Sequence, residues 1–341
     1  MDSPPSVQKA WIVKRRGHPR DALALETIPI PALEPGFVLV KIEAAALNPA
    51  GYKMMELIPN ILVQRPHVAE FDFTGTIADR NGTHFNNGDK VFGMIWSEKK
   101  RQGSLAEYAM AKVEAVALRP DNLSLEQAAG LALVGQTVWQ ALFDVAQVEA
   151  GQSVFVNGGS SSVGLVAIQL LKAKNCIVGT SCSLKNFDLV KRLGADHVFD
   201  YKAKPLEEQL SDNPPSPKYH VFLDAVGGNN ALYTHSEAFL APKGVYIYLG
   251  GGLRNVSDIF KEIVGAFKGF ILPTWLGGTN RAYKFVQVKS SQGSLQHLCE
   301  YVKQGKLTPP VDSVFAFKDA LEAYDRILSG RATGKVVVTI P

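Results

Sequence analysis

Cysteine is scarce in this chain. Its three residues, Cys176, Cys182 and Cys299, form neither a CxxC pair nor an even disulfide framework. That excludes a disulfide-stapled secreted domain and suits a reducing compartment. Long apolar runs are missing as well, and none approaches the length needed to span a bilayer. Residues 1–9 are polar, contain two prolines and lack the apolar centre of a signal peptide, so the expected location is cytoplasmic. Charge of one sign is never concentrated. Lys99-Lys100-Arg101 is the longest basic block and reads as a solvated loop, and a net charge of +4 spread along the chain does not argue for nucleic acid. The seven histidines are dispersed, with none at ligand spacing from a second His or Cys.

What is present suits a two-domain α/β protein. The 341 residues are 46% hydrophobic, enough for real cores and long for one domain. The first third reads as short strands, at 38–42, 75–78, 90–95 and 105–109, punctuated by Pro35-Gly36, Asn81-Gly82 and Asn87-Gly88 turns. This predicts a compact, antiparallel, barrel-like unit. Near residue 124 the texture changes. Ser124 with Gln127 three residues on makes a capping-box helix start. Strands and helices then alternate: strand 153–157, helix 163–174, strand 177–180, helix 185–193, strand 197–200, strand 221–224, helix 230–239 and strand 245–249. Alternation at this spacing predicts βαβ units and a buried, doubly wound parallel sheet of Rossmann type. A helix at 295–304 and a strand at 335–340 close the chain.

The strand ending at Asn157 runs into Gly158-Gly159-Ser160-Ser161-Ser162-Val163-Gly164 and then a helix. Small residues there let the backbone approach a pyrophosphate, and the helix N-terminus offers free N–H groups. The G-x-G-x-x-G spacing is imperfect, because Ser161 stands at the middle glycine. Leu165-Val166 follows in place of Lys-Ser/Thr, so this is not a P-loop. A nucleophilic reading of the serines lacks the G-x-S-x-G elbow and a His partner. The second strand leads into Thr180-Ser181-Cys182-Ser183-Leu184-Lys185, with no acid before Asp188. NAD enzymes usually carry an acid about twenty residues on, whereas hydroxyls and a lysine suit a 2′-phosphate. The residues therefore favour NADPH.

Here the chain resembles a known family. Residues 159–173 and 191–201, with Leu47-Asn48-Pro49, the stretches 71–77, 89–93 and 103–108, and the closing 334–338, follow one family's order across nearly the whole sequence. The chain resembles the quinone oxidoreductase and enoyl reductase branch of the medium-chain dehydrogenase/reductase superfamily. The resemblance implies a Rossmann NADPH-binding domain, 125–290, inserted into a GroES-like β-rich substrate domain, 1–124 and 291–341. It implies that Gly159, Ser161, Val163 and Gly164 face the pyrophosphate, with Ser160, Ser162 and Asn186 also among the cofactor-binding residues. Ser183, Lys185 and Tyr201 are implied around the 2′-phosphate. Thr137, Val226, Leu249, Gly250, Gly251 and Lys335 are implied among the remaining cofactor contacts, and Asn48 and Tyr52 beside the substrate.

Three departures stand out. Serines replace glycine at 161 and 162. The lysine that many members place at 186 is here Asn186, with Lys185 its neighbour. The acid often found after Asn-Pro-x is Gly51. The positions matching the catalytic zinc ligands of alcohol dehydrogenases are Asn48 and Phe71, and no cysteine precedes Cys176, so no metal is expected. Hydride delivery to a conjugated double bond or quinone does not demand a Lewis acid, unlike alcohol oxidation. The expected activity is NADPH-dependent reduction of an activated C=C (enone or enoyl thioester) or a quinone. Asn48 and Tyr52 are the expected oxyanion donors, and Tyr52 has a packing role as its alternative. A carbonyl reductase and a non-catalytic NADPH-binding protein are the other readings. The expected partner is a small, apolar, conjugated substrate, with no nucleic acid and no membrane, and a homodimer is the assembly considered. His67 reads as a loop histidine, Cys182 as a buried inert thiol, and Trp96, Trp139 and Trp275 as core or pocket-lining residues.

Overall fold

The computed structural model describes residues 4–96, 101–250 and 279–341. The chain divides into two compact units, 1–136 with 289–341, and 137–288.

The first unit opens with β1 (Val7–Val13) and β2 (Leu23–Pro29), an antiparallel pair. Next come β3 (Phe37–Ala46), the helix Pro49–Leu57, β4 (His67–Val68), β5 (Asp72–Asp79), β6 (Lys90–Met94), β7 (Tyr108–Lys112) and β8 (Val116–Leu118). The core-facing residues of β3 and β5, Val38, Val40, Ile42, Phe73 and Ile77, are fully buried. The expected strand at 105–109 is divided in the structure. Leu105 and Ala106 bond to β1 through Trp11 and Ala10, and the chain joins β3 from the Glu107 carbonyl, which accepts the Ile42 N–H, onward. The helix Leu125–Ala129 starts with the expected capping box at Ser124 and Gln127. Leu125 and Ala129 pack on Ala44, Ala46 and Val337, so this helix belongs with the β-rich unit, whose first segment runs to residue 136 rather than ending at residue 124.

The second unit contains β9 (Ser153–Asn157), β10 (Ile177–Cys182), β11 (His197–Asp200), β12 (Tyr219–Asp224), β13 (Leu240–Tyr248) and β14 (Ala282–Phe285). All pair in parallel, in the order β11-β10-β9-β12-β13-β14. One face carries a ladder of stacked rings. Phe155 lies 4.9 Å from Phe222, Phe222 4.9 Å from Tyr246, and Tyr246 5.6 Å from Tyr283, each ring nearly parallel to the next. Register makes each pair cross-strand neighbours, the arrangement by which side chains stabilise a sheet. The expected helix 230–239 ends early, at Thr234, and a short 3₁₀ turn over Ser236–Ala238 follows. His235 Nδ1 lies 2.9 Å from the Ala231 carbonyl that the helical N–H of His235 also uses.

The chain then returns to the first unit through the helix Gln292–Lys303, β15 (Val311–Ala316), the helix Ala320–Leu328 and β16 (Lys335–Thr339). β16 pairs with β3 and completes the sheet β15-β16-β3-β5-β6-β8, with β7 also on β3. Among the described residues no helix is long and apolar enough to cross a membrane.

Candidate active site

Three strand ends converge in the first unit. Antiparallel register sets Ala46, the last residue of β3, opposite Asp72, the first of β5, and β16 begins beside them at Lys335. Lys335 Nζ donates to Asp72 Oδ2 at 2.8 Å and to Asn48 Oδ1 at 2.6 Å. Asn48 Nδ2 donates to Asp72 Oδ2 and to the Ala46 carbonyl, both at 3.1 Å, and Asp72 Oδ1 accepts the Leu133 N–H at 2.7 Å. The Lys335 and Asp72 side chains are 3% and 0% exposed. Burial of two charges is tolerated because each is paired and hydrogen-bonded. Asn48 is also the N-cap of helix Pro49–Leu57, yet its side chain makes no cap bond because it faces this network. Both amide hydrogens of Asn48 are committed, so none remains for a substrate oxygen. That corrects its expected role as an oxyanion donor.

Glu70 adjoins the same cluster. Its Oε1 accepts the Tyr324 hydroxyl at 2.7 Å, and its Oε2 accepts the Asn48 N–H at 3.1 Å. Burial pushes its carboxyl up to about 7, aided by Asp72, while the Tyr324 hydroxyl, Lys335 and the Asn48 N–H act in the opposite sense. Burial and the Glu70 charge push the Tyr324 phenol well above its usual range. Glu70 has φ 65, the left-handed region, which costs a residue with a side chain about 1 kcal/mol. A Cβ added at Gly51 would overlap Glu70 Oε1. The carboxyl thus fills the space directly above the glycine that replaces the family's usual acid.

Beside this cluster lies a cavity of about 420 Å³. Gly51, Met54 and Met55 line it from one helix face, and Leu62, Glu70, Phe71 and Trp96 also line it. Phe71 and Trp96 stack with centroids 5.2 Å apart. Tyr52 is not in that lining; its half-buried ring packs on the core of the β-rich unit. His67 also faces the cavity, and burial holds its imidazole below the usual range, so it is neutral near pH 7. Among the described residues no group of three or more His, Cys, Asp and Glu is arranged to hold a metal ion.

The second unit presents a nucleotide-type edge. Asn157, Ser181, Asp224 and Tyr248 are register partners at the C-terminal ends of four adjacent parallel strands, the edge where such sheets bind ligands. Loop 158–164, Ser183, Val226, Leu249 and Gly250 all leave the sheet there. A Cβ at Gly159 would overlap Thr180 Oγ1, and one at Gly164 would overlap the Gly158 carbonyl, so both glycines permit close helix–strand approach. Ser161 caps helix Ser162–Ala173: its Oγ accepts the Gly164 N–H at 3.1 Å and donates to the Gly158 carbonyl at 2.7 Å. Serine therefore holds the loop closed where glycine was expected, and its hydroxyl is engaged within the loop. Ser162 and Val163 contribute first-turn N–H groups, which have no acceptor in the helix itself. These features fit a dinucleotide pyrophosphate.

Cys182 and Asp200 are register partners, so Ser183 and Tyr201 leave the sheet on adjacent strands. Ser183 is buried, Asn186 half-buried, Lys185 exposed and Tyr201 52% exposed. Asp200 is an acid on this side that the spacing along the second strand alone did not reveal. Burial first, and then Asp200, push the Cys182 thiol up to about 11. Thr137 is half-buried in helix Ala132–Trp139, and Trp139 is buried. Lys335 belongs to the β-rich unit, where its ammonium is committed to Asp72 and Asn48. Gly251 and Trp275 lie outside the described residues. Sequence reasoning gave no role to Glu70, Asp72 or Tyr324. The missing acid at Gly51 was half of the signal for Glu70, and only the fold supplies the other half.

Known proteins bear on this geometry. The alcohol dehydrogenase GroES-like domain matches residues 34–121, and the zinc-binding dehydrogenase domain matches residues 193–338. A zinc-type alcohol dehydrogenase-like protein of Schizosaccharomyces pombe is 33% identical, covering 97% of this chain and 96% of its own. The trans-enoyl reductase pgmF of Aspergillus terreus is also 33% identical, covering 98% and 97%. The solved quinone oxidoreductase of Coxiella burnetii superposes with a TM-score of 0.82 at 25% identity, covering 98% of this chain and all of its own. The oxidoreductases of this family use nicotinamide cofactors. The chain is thus an oxidoreductase of the medium-chain dehydrogenase/reductase superfamily, in its zinc-free quinone oxidoreductase and enoyl reductase branch.

Proposed function

We propose that this protein uses NADPH to reduce an activated C=C bond, in an enone or enoyl thioester, or a quinone, without a metal. The observation that carries the reading is the cavity of about 420 Å³ in the β-rich unit, with its stacked Phe71–Trp96 wall and methionine floor. Its size, and a lining that sets apolar side chains beside a few polar ones, suit a small conjugated molecule. Aromatic faces offer such a planar acceptor offset stacking. Met54 and Met55 adapt to its outline and exclude water.

A bound nicotinamide would supply hydride. The chain's own part is to bind, orient and handle protons. Gly159, Gly164 and the N–H groups of Ser162 and Val163 would hold the pyrophosphate. Ser183, Lys185 and Tyr201 would meet the 2′-phosphate, and Thr137, Val226, Leu249 and Gly250 the rest of the nucleotide. The cation at Lys185 and the hydroxyls support NADPH, while the Asp200 carboxylate works against it. The Asp72–Lys335–Asn48 cluster keeps the strand ends beside the cavity rigid.

The test is NADPH oxidation by purified protein with a panel of enones, enoyl thioesters, quinones, aldehydes and ketones. Turnover of the first three classes is expected. Turnover of aldehydes or ketones alone would make the protein a carbonyl reductase. Tight NADPH binding with no turnover would make it a non-catalytic nucleotide binder.

A further inference from the structure

We propose that Glu70, a cavity-lining residue whose carboxyl packs against the bare backbone of Gly51, is the acid that protonates the reduced acceptor. This rests on the reductase reading above. Among the described residues lining the cavity, Glu70 carries the only carboxyl. Gly51 lines the cavity too, and any side chain there would collide with Glu70 Oε1. The absent Cβ therefore leaves room for the carboxyl in the cavity wall, where its other contacts are the Tyr324 hydroxyl at 2.7 Å and the Asn48 N–H at 3.1 Å. A left-handed backbone at Glu70 turns the side chain into this place. Strain of this kind persists where surrounding structure fixes it and is often tied to function.

The cavity's other polar groups serve less well. The neutral His67 has its Nδ1 2.9 Å from the Gln64 carbonyl. Arg101 does not release a proton near neutral pH. Tyr52 is not in the lining, and Tyr324 spends its hydroxyl on Glu70.

The step balances. An enone that has received hydride at its β-carbon, with the electron pair from the nicotinamide, is an enolate. The Glu70 O–H bond breaks and a C–H bond forms at the enolate α-carbon. NADPH is oxidised, the acceptor is reduced by two electrons, and Glu70 is left as a carboxylate. That anion is held by the Tyr324 hydroxyl and the Asn48 N–H, with Lys335 attracting and Asp72 repelling it. Solvent then returns the proton.

A carboxyl that ionises at about 7 still holds its proton in a useful fraction at neutral pH. The test compares wild type, Glu70→Gln and Tyr324→Phe on the best acceptor from about pH 5 to about pH 9. Wild-type kcat should fall as pH rises through about 7. Tyr324→Phe removes a bond that favours the carboxylate, so the midpoint should move upward. Glu70→Gln should lower kcat about ten- to a thousandfold and flatten the profile. Infrared titration supplies a readout without turnover. A protonated-carboxyl band should disappear on the same midpoint, shift upward in Tyr324→Phe and be absent in Glu70→Gln. An active wild type matched by Glu70→Gln in rate and pH profile would overturn the role of Glu70 alone. A wild type inactive on every acceptor would overturn the reductase reading and this proposal together.

Discussion

Replacing Lys335 by Met removes one charge from the most deeply buried ion pair among the described residues of the β-rich unit. Methionine nearly preserves the volume, so the perturbation is electrostatic. Asp72, 0% exposed, would keep only the Asn48 amide and the Leu133 N–H as donors, and Asn48 Oδ1 would lose its ammonium partner. Breaking a buried pair from one side costs about 3–5 kcal/mol, because the remaining charge is uncompensated. With a shift of about 2–4 °C per kcal/mol for units of this size, the melting transition should fall on the order of 10 °C. Calorimetry is the assay. The double variant Asp72→Asn/Lys335→Met removes both charges and should recover most of the loss, since a buried pair is often worth little against a neutral replacement. A Lys335→Met protein melting within about 2 °C of wild type would refute the claim that this pair holds the strand ends. If such a protein had also lost NADPH binding, Lys335 would return to the nucleotide contact that the resemblance implies.

Lys185→Ala should weaken NADPH about tenfold or more, about 1.4 kcal/mol, and leave NADH nearly unchanged in calorimetric titrations. Equal losses for both nucleotides would remove Lys185 from the 2′-phosphate. Tyr52→Phe should change kcat less than about threefold, because the ring packs on the core and does not line the cavity; a tenfold drop would restore its hydroxyl as the donor. Burial raises all three thiols, Cys182 and Cys299 to about 11, so a thiol reagent near pH 8 should modify none of them before unfolding. Rapid modification of one thiol in the folded protein would contradict that burial.

Periodic elements were the legible part of the fold. The alternation after Ser124 and the glycine-bearing loop come from local spacing, and local spacing is what a sequence displays. The short helix Pro49–Leu57 and the strands β1 and β2 went unread, having weak patterns and depending on tertiary pairing. Serine at 161 could be read as a departure from the glycine pattern; that its hydroxyl closes the loop through Gly158 and Gly164 could not. Asn48 was visible as a polar residue at the right place. Its commitment to Lys335 and Asp72 depends on partners far along the chain, brought together only by β3, β5 and β16. Glu70 is the clearest case. Nothing in the order of residues links it to Tyr324 or to the bare backbone at Gly51.

The central claim, hydride delivery to an activated double bond, is tested most directly by isotope. NADPH deuterated at the transferable position would be turned over with the best enone or enoyl thioester of the panel, and the product examined by mass spectrometry and NMR. One deuterium at the β-carbon, with the α-hydrogen drawn from solvent, is the predicted result. Deuterium at the carbonyl carbon, giving an allylic alcohol, or oxidised cofactor with no deuterium in any product, would contradict the account.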